Sequence, residues 1–284
     1  MRWKPSLRAR LKAIPPRRLV VFLDYDGTLT PIVRRPEEAR LKTPVRRALS
    51  RLARCVPVVI VSGRTLSDLR RRVGVAGIRY VAHHGLVYKE PGSAVQWLGQ
   101  RISRREVREW VKALRAVAQG VPGALVEDKG LGVALHDRLV RPSDRVRLRR
   151  QALLALAPWV VSQKAVLLHG KRVLEVRPAG AWNKGTAVAT LLQRPWAVGR
   201  VPVYFGDDRT DVDAFRVLRG RGITVGIGGR RGMAGAETWV SGPKAVESFL
   251  RWLGARQNLS ASPRSTRVKS NCVVFPAVGE AIHS

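Results

Sequence analysis

The stretch whose reading decides the fold is Leu19–Ile32, LVVFLDYDGTLTPI. Leu19, Val20, Val21, Phe22 and Leu23 form an unbroken apolar run, which predicts a strand buried on both faces. The run ends in two carboxylates one residue apart, Asp24 and Asp26, followed by Gly27 and Thr28. Alternation along a continuing strand would place both acids on one side, and Gly27 lets the chain turn tightly past them. Two carboxylates at the end of a buried strand cost free energy unless something positive pairs with them. A divalent cation answers that need, and Mg²⁺ takes oxygen ligands while leaving room for water and phosphate. A plain strand-to-turn junction, where Asp and Gly are frequent, is the competing reading.

A chain of 284 residues predicts one large or two modest domains, and an apolar fraction of 45% is enough for a real core. No run of about 18 apolar residues occurs, so neither a membrane span nor a membrane partner is expected. The basic N-terminus is followed by no apolar signal core. Cys55 and Cys272 are the two cysteines, which fits a reducing compartment and predicts a cytoplasmic protein. The net charge of +33 raises the question of a nucleic-acid partner. Arg supplies 42 of the 53 basic residues and is spread through every segment. Arg70–Arg72 and Arg145–Arg150 fall on expected solvated helix faces, without interleaved aromatic platforms. Nucleic-acid binding is therefore not the expected function, although the charge should draw in anionic substrates.

Residues 1–16 show no clear period and close on Pro15-Pro16, predicting a flexible or extended basic arm. A helix is expected from Thr43-Pro44, with Val45, Ala48, Leu49 and Leu52 on one face. Val56–Val61 predicts a second buried strand, followed at once by Ser62-Gly63-Arg64 and a helix over Leu66–Val73. A strand opening into a helix there presents backbone N–H groups to an anion, and the Ser62 hydroxyl can reach a phosphate oxygen. Arg64 pairs with substrate or a neighbouring acid, or only caps the turn. Ile78–Ala82 predicts a strand ending in His83-His84-Gly85, whose adjacent rings diverge and so make no metal site by themselves. Val87–Trp97 reads as a hairpin around Glu90-Pro91-Gly92.

From Arg101 the pattern changes. An amphipathic helix over Arg104–Gln119 precedes a hairpin of Ala124–Asp128 and Leu131–His136. A helix over Ser143–Ala157 then precedes a hairpin of Ala165–Leu168 and Val173–Arg177. The αββαββ unit predicts a two-layer module of about 80 residues inserted into the α/β core, as caps that exclude water and choose substrates are. Glu127, Lys129, Arg138, Lys171 and Glu175 lie on its hairpins, either as ordinary exposed charges or as partners for sugar hydroxyls.

Asn183-Lys184-Gly185-Thr186 opens the next helix. A Lys at a helix N-terminus opposes the dipole and becomes sensible if it neutralises an anion there. Val201–Phe205 predicts a strand followed by Gly206-Asp207-Asp208-Arg209-Thr210-Asp211, where three carboxylates in five residues repel unless a cation is bound. A helix over Val212–Leu218, a strand over Ile223–Ile227 and a helix over Pro243–Leu253 complete the core.

DYDGT, SGR, NKG and GDDRTD, each at its strand or helix end and in this order, resemble the motifs of haloacid dehalogenase-like phosphatases. DYDGTLTPI, VEDKG…HDR and GKRVLEVRP are similar, more narrowly, to trehalose-6-phosphate phosphatases, over about 235 residues from Arg18 to Trp252. The resemblance implies a Rossmann-like parallel-sheet core, residues 17–100 and 181–254, with an inserted α+β cap at 101–180. The final residues, 255–284, match nothing in the family and are expected to be largely disordered.

It further implies that Asp24 attacks phosphorus, that Asp26 moves the proton, and that Lys184 stabilises the charge. Ser62 and Gly63 would bind phosphate. His84, Glu127, Lys129, Arg138, Lys171 and Glu175 would face the sugar. Mg²⁺ would be held by the Asp24 carboxylate, the Asp26 backbone carbonyl and Asp207, with Asp208 and Asp211 close by. Val212 stands where the family usually has Glu. The implied reaction is hydrolysis of trehalose 6-phosphate, a sugar phosphate made in trans by a trehalose-6-phosphate synthase, since no glycosyltransferase segment is recognised here. Two alternatives stay open at this point: another sugar phosphate as substrate, or a basic nucleic-acid-binding protein with an idle site.

Overall fold

A computed structural model of the chain describes residues 5–98, 103–180, 182–229 and 235–260. Strand β1 (Leu19–Asp24) is buried along its whole length, as its unbroken apolar run requires. It lies between β2 (Val58–Val61) and β10 (Val201–Gly206), both parallel to it. The sheet extends through β3 (Arg79–Ala82), β4 (Val87–Lys89) and β5 (Gln96–Trp97) on one side, and β11 (Ile223–Ile227) and β12 (Thr238–Val240) on the other. From β12 across to β3 every pairing is parallel, and only β4 and β5 run against their neighbours.

Helices cover both faces. Helices α2 (Thr43–Ala53) and α3 (Leu66–Val73) pack on one face with α8 (Pro243–Ser260), burying Leu49, Leu52, Leu69 and Phe249. Helices α6 (Lys184–Leu191) and α7 (Val212–Leu218) cover the other, burying Val188, Leu191 and Phe215 against Phe22 and Tyr204. Parallel strands put all their carboxyl ends at one edge of the sheet, where doubly wound folds bind ligands. Register finishes the placement. Leu23 pairs with Phe205 and Asp24 with Val61, so Asp24 comes level with Gly206 and one residue short of Ser62.

Between β5 and α6 the chain builds a second sheet, antiparallel, in the order β6-β7-β9-β8. Its strands are β6 (Leu125–Asp128), β7 (Val133–His136), β8 (Ala165–Gly170) and β9 (Val173–Pro178). Helices α4 (Arg104–Ala118) and α5 (Pro142–Val161) pack on it, with Trp110, Leu114, Leu148 and Leu156 fully buried in a separate core. This is the αββαββ cap on an α/β core.

Three local expectations change. The N-terminal arm holds a helix, α1 (Pro5–Ala13), and Leu7 and Leu11, one turn apart, are buried in the main core. The Arg256 guanidinium of α8 donates to the carbonyls of Leu11 and Lys12, at 2.8 and 2.9 Å, closing the end of α1. Two leucines among arginines and lysines in nine residues make too weak a periodic signal, and packing into the main core supplies what propensity does not. The edge strand β12 was not expected from the sequence. Helix α8 continues to Ser260, six residues into the segment expected to be disordered; residues 261–284 lie outside those described.

If α1 belongs to the fold, Leu11→Ala should cost about 2–5 kcal/mol, the range for emptying a buried leucine site. Urea unfolding measures it, and a loss under about 0.5 kcal/mol, a surface-like effect, would show that α1 is not part of the cooperative unit.

Candidate active site

The edge where the strands end holds a buried ion cluster. Lys184, the first residue of α6, follows Asn183, whose side chain caps the helix by accepting from Thr186 N at 2.9 Å. The Lys184 ammonium donates to Asp24 Oδ1 and to Asp211 Oδ1, both at 2.7 Å, and all three side chains are buried. Asp211 also accepts from the Tyr204 hydroxyl at 2.7 Å and from the backbone N–H groups of Asp207 and Asp208 at 3.1 and 3.0 Å. Burial works to lower the Lys184 pKa, but the two carboxylates outweigh it and hold the ammonium charged. Burial pushes the Asp24 carboxyl well above its usual range despite Lys184. Burial and the neighbouring Asp211 push Asp207 up to about 7.

Carboxylates driven toward neutrality in this way call for another cation. Oxygens of Asp24, Asp207 and Asp211 lie within 4.8 Å of one another, and Asp207 Oδ1 is buried with no hydrogen-bond partner. Gly27 stands at φ +83°, and a Cβ there would lie 2.1 Å from Asp207 Oδ2, so the turn after β1 closes on this carboxylate only as glycine. Hard oxygen donors with one oxygen unspent fit a divalent cation such as Mg²⁺.

The five acids expected at the metal separate here. Asp24 and Asp207 share this corner, while Asp211 is saturated by its four donors. Asp208 Oδ1 accepts from Arg209 N in its own turn. The carboxylate oxygens of Asp26, whose backbone carbonyl is the expected ligand, are both taken by Arg64 at 2.7 Å. The strand ends at Asp24, so the alternation that would have aligned Asp26 with it stops.

Around this corner opens a cleft of about 170 Å³, lined by core and cap together. Ser62 and Gly63 line it together with Asp24. His83 and His84 adopt left-handed backbone at φ 49° and 57°, a conformation that costs free energy in residues with a Cβ and recurs at functional sites. The His84 ring lies against Gly63, where a Cβ would come within 2.2 Å of it.

From the cap, Glu175 on β9 meets His84 Nε2 and Lys129 Nζ, each at 2.5 Å. Glu127 pairs with His136 at 2.9 Å, and Lys171 reaches Asp207 Oδ2 at 3.3 Å. Arg138 lines the cleft, but its guanidinium donates to the Val33 carbonyl of the loop after β1 and to the Lys171 carbonyl. It therefore ties cap to core. Sequence reasoning missed His136 and Tyr204; His136 stands two residues before Arg138 in the quoted HDR, and Tyr204 is the inward residue before GDD.

Burial works to raise the Glu175 carboxyl, but the His84 ring and the Lys129 ammonium overcome it and hold it well below the carboxylate range. A depressed folded pKa stabilises above the unfolded value and is lost as pH falls through the folded one. Stability should therefore drop below about pH 4.5, and Glu175→Gln should flatten that acid limb in thermal melts at stepped pH. An unchanged acid limb would show that Glu175 is not so held.

The trehalose-phosphatase family model matches residues 22–233. The chain is 34% identical over 269 residues to trehalose 6-phosphate phosphatase RA3 of Zea mays, covering 87% of this chain and 74% of that protein. It is 37% identical over 217 residues to probable trehalose-phosphate phosphatase 4 of Oryza sativa subsp. japonica, covering 74% of this chain and 58% of the rice protein. The chain thus spans somewhat over half to three quarters of the length of these relatives. Its fold matches the C-terminal domain of the C. albicans trehalose-6-phosphate phosphatase with a TM-score of 0.79 at 24% identity, over 89% of this chain and 97% of that one. Against the Aspergillus fumigatus trehalose-6-phosphate phosphatase the TM-score is 0.57 at 27% identity, over 84% and 93%. The chain belongs to the trehalose-phosphatase family of the haloacid dehalogenase-like hydrolases.

Proposed function

We propose that the protein hydrolyses trehalose 6-phosphate to trehalose and inorganic phosphate, using Mg²⁺ and an aspartyl-phosphate on Asp24. The observation that carries this reading is the placement of Asp24 with Lys184 and Asp207 at the base of a cleft whose opposite wall is a polar cap cluster. The names of its relatives support the substrate.

In the first step an Asp24 carboxylate oxygen attacks phosphorus in line, and the bond from phosphorus to the sugar oxygen breaks. Asp26 gives its proton to that departing oxygen. In the second, Asp26 takes a proton from water as the water oxygen attacks phosphorus; phosphate leaves and Asp24 is restored. Lys184, held at 2.7 Å from Asp24, neutralises charge on nucleophile and phosphoryl group. Ser62 and the backbone N–H of Gly63 bind the phosphoryl oxygens. Asp24 and Asp207 would hold Mg²⁺, whose charge, when bound, offsets repulsion between carboxylate and phosphate dianion. Glu127, Lys129, His136 and Glu175 offer both acceptors and donors, as sugar hydroxyls require.

No helix among the described residues is long and apolar enough to cross a membrane. A cytoplasmic setting, with a trehalose-6-phosphate synthase supplying substrate in trans, accords with the reducing compartment inferred from the cysteines.

Release of inorganic phosphate from a panel of sugar phosphates, with Mg²⁺ and with chelator, tests the reading. Trehalose 6-phosphate should be preferred strongly, with activity lost on chelation. Broad weak release would keep the chemistry and remove the substrate assignment. Glu127→Ala should lower kcat/KM for trehalose 6-phosphate by 10-fold or more, about 1.4 kcal/mol, while sparing p-nitrophenyl phosphate. Equal loss on both substrates would show that Glu127 does not read the sugar.

A further inference from the structure

Asp26 leaves the strand that carries Asp24 and is not tethered by it, yet the proposed reaction needs its carboxylate in one place. Its partner is Arg64, in the turn between β2 and α3. Arg64 Nε donates to Asp26 Oδ2 and one terminal nitrogen donates to Oδ1, a two-point fork with both bonds at 2.7 Å. The same terminal nitrogen also donates to the Pro36 carbonyl at 2.7 Å, and the other donates to Asp68 Oδ2 at 2.7 Å. At most one N–H of the guanidinium is left for anything else.

The fork is itself fixed. Arg64 is 8% exposed, and its guanidinium lies 5.3 Å from the centre of the Tyr25 ring. Asp68 sits in the first turn of α3, which Thr65 caps, and also accepts from Arg71 on Oδ1 at 2.6 Å and from Arg72 on Oδ2 at 2.7 Å. The Asp26 side chain is 44% exposed and lines the cleft, so one edge of its carboxylate meets the fork while the rest stays open to substrate.

We infer that Arg64 is a positioning residue, which acts by holding the Asp26 carboxylate at the cleft wall and away from the Asp24–Asp207 corner. The inference rests on the phosphatase reading above. Arg64 has almost no donor capacity to give a substrate, which separates it from Lys129 and Lys171. It also divides the two acids of the first motif between two cations: Asp24 to Lys184 and Asp26 to Arg64. A carboxylate freed from the fork would reach the proton it must transfer in only a fraction of its orientations.

The test is a double-mutant cycle on Mg²⁺-dependent hydrolysis of trehalose 6-phosphate, with Arg64→Ala, Asp26→Ala and the pair. Arg64→Ala should lower kcat about 100-fold, the scale of one misplaced acid–base group, with KM within about threefold. In the Asp26→Ala background it should cost less than about threefold more, since the residue it positions is gone. Arg64→Lys keeps the charge without the planar fork and should recover only part of the loss. With p-nitrophenyl phosphate, whose departing oxygen needs no proton, the first burst of nitrophenolate should survive in Arg64→Ala while later turnover slows.

Equal costs of Arg64→Ala in the two backgrounds would overturn the inference, as would a rise in KM with kcat unchanged. Thermal melts of each variant control for folding. Should Arg64→Ala not fold, Arg64→Lys replaces it in the cycle, with the same coupling to Asp26→Ala expected. Full turnover by Asp26→Ala alone would instead remove the acid–base role in the proposed function, an outcome distinct from an uncoupled Arg64.

Discussion

One buried ammonium holds the site together. Lys184 enters from the start of α6 and meets Asp24 from the end of β1 and Asp211 from the turn after β10, each at 2.7 Å. Any of these groups buried alone would carry a desolvation cost of several kcal/mol. Together they are tolerable only when three segments far apart in the chain converge on one point. The glycines follow from that convergence. Gly206 lies so near Asp211 that a Cβ would stand 2.3 Å from its carboxyl carbon, and Gly27 closes on Asp207 in the same way. The Tyr204 hydroxyl and two backbone N–H groups then complete the lone pairs of Asp211, which becomes the fixed post of the cluster.

The cap repeats the device on the opposite wall. Glu175 is shared by Lys129 and by His84 of the core, Lys171 lies on Asp207, and Arg138 reaches the loop after β1. Cap and core therefore touch through groups that also line the cleft. In the proposed function, these polar contacts would link their relative placement to recognition of the sugar phosphate. The main hydrophobic cores of the two parts stay separate, with Trp110 in one and Phe22 and Tyr204 in the other, and Leu131 of the cap packs against Ala82, Leu86 and Val87 of the core between them.

Much of this was legible in the sequence because the core strands are buried on both faces and their apolar runs end abruptly in chemistry. Asp24, Ser62, Lys184 and Asp207 could each be placed at an element's end from local pattern alone, and parallel topology brings such ends together. What pattern could not supply was the pairing. Nothing local says that Arg64 takes Asp26, that Arg138 spends itself on backbone carbonyls, or that Asp211 is saturated. These depend on contacts across many residues. Helix α1 was hidden for a related reason: Leu7 and Leu11 gain their burial from the main core, and the end of α1 is tied to Arg256 of α8, contacts that no local pattern announces.

The central claim is that Asp24 carries the phosphoryl group. It is tested most directly by quenching the enzyme in acid during turnover, reducing with borohydride and sequencing peptides by mass spectrometry. An aspartyl-phosphate is reduced to homoserine, so residue 24 should appear as homoserine only when substrate and Mg²⁺ were both present. Homoserine at another aspartate, or none at residue 24 under steady turnover, would contradict the assignment of the nucleophile.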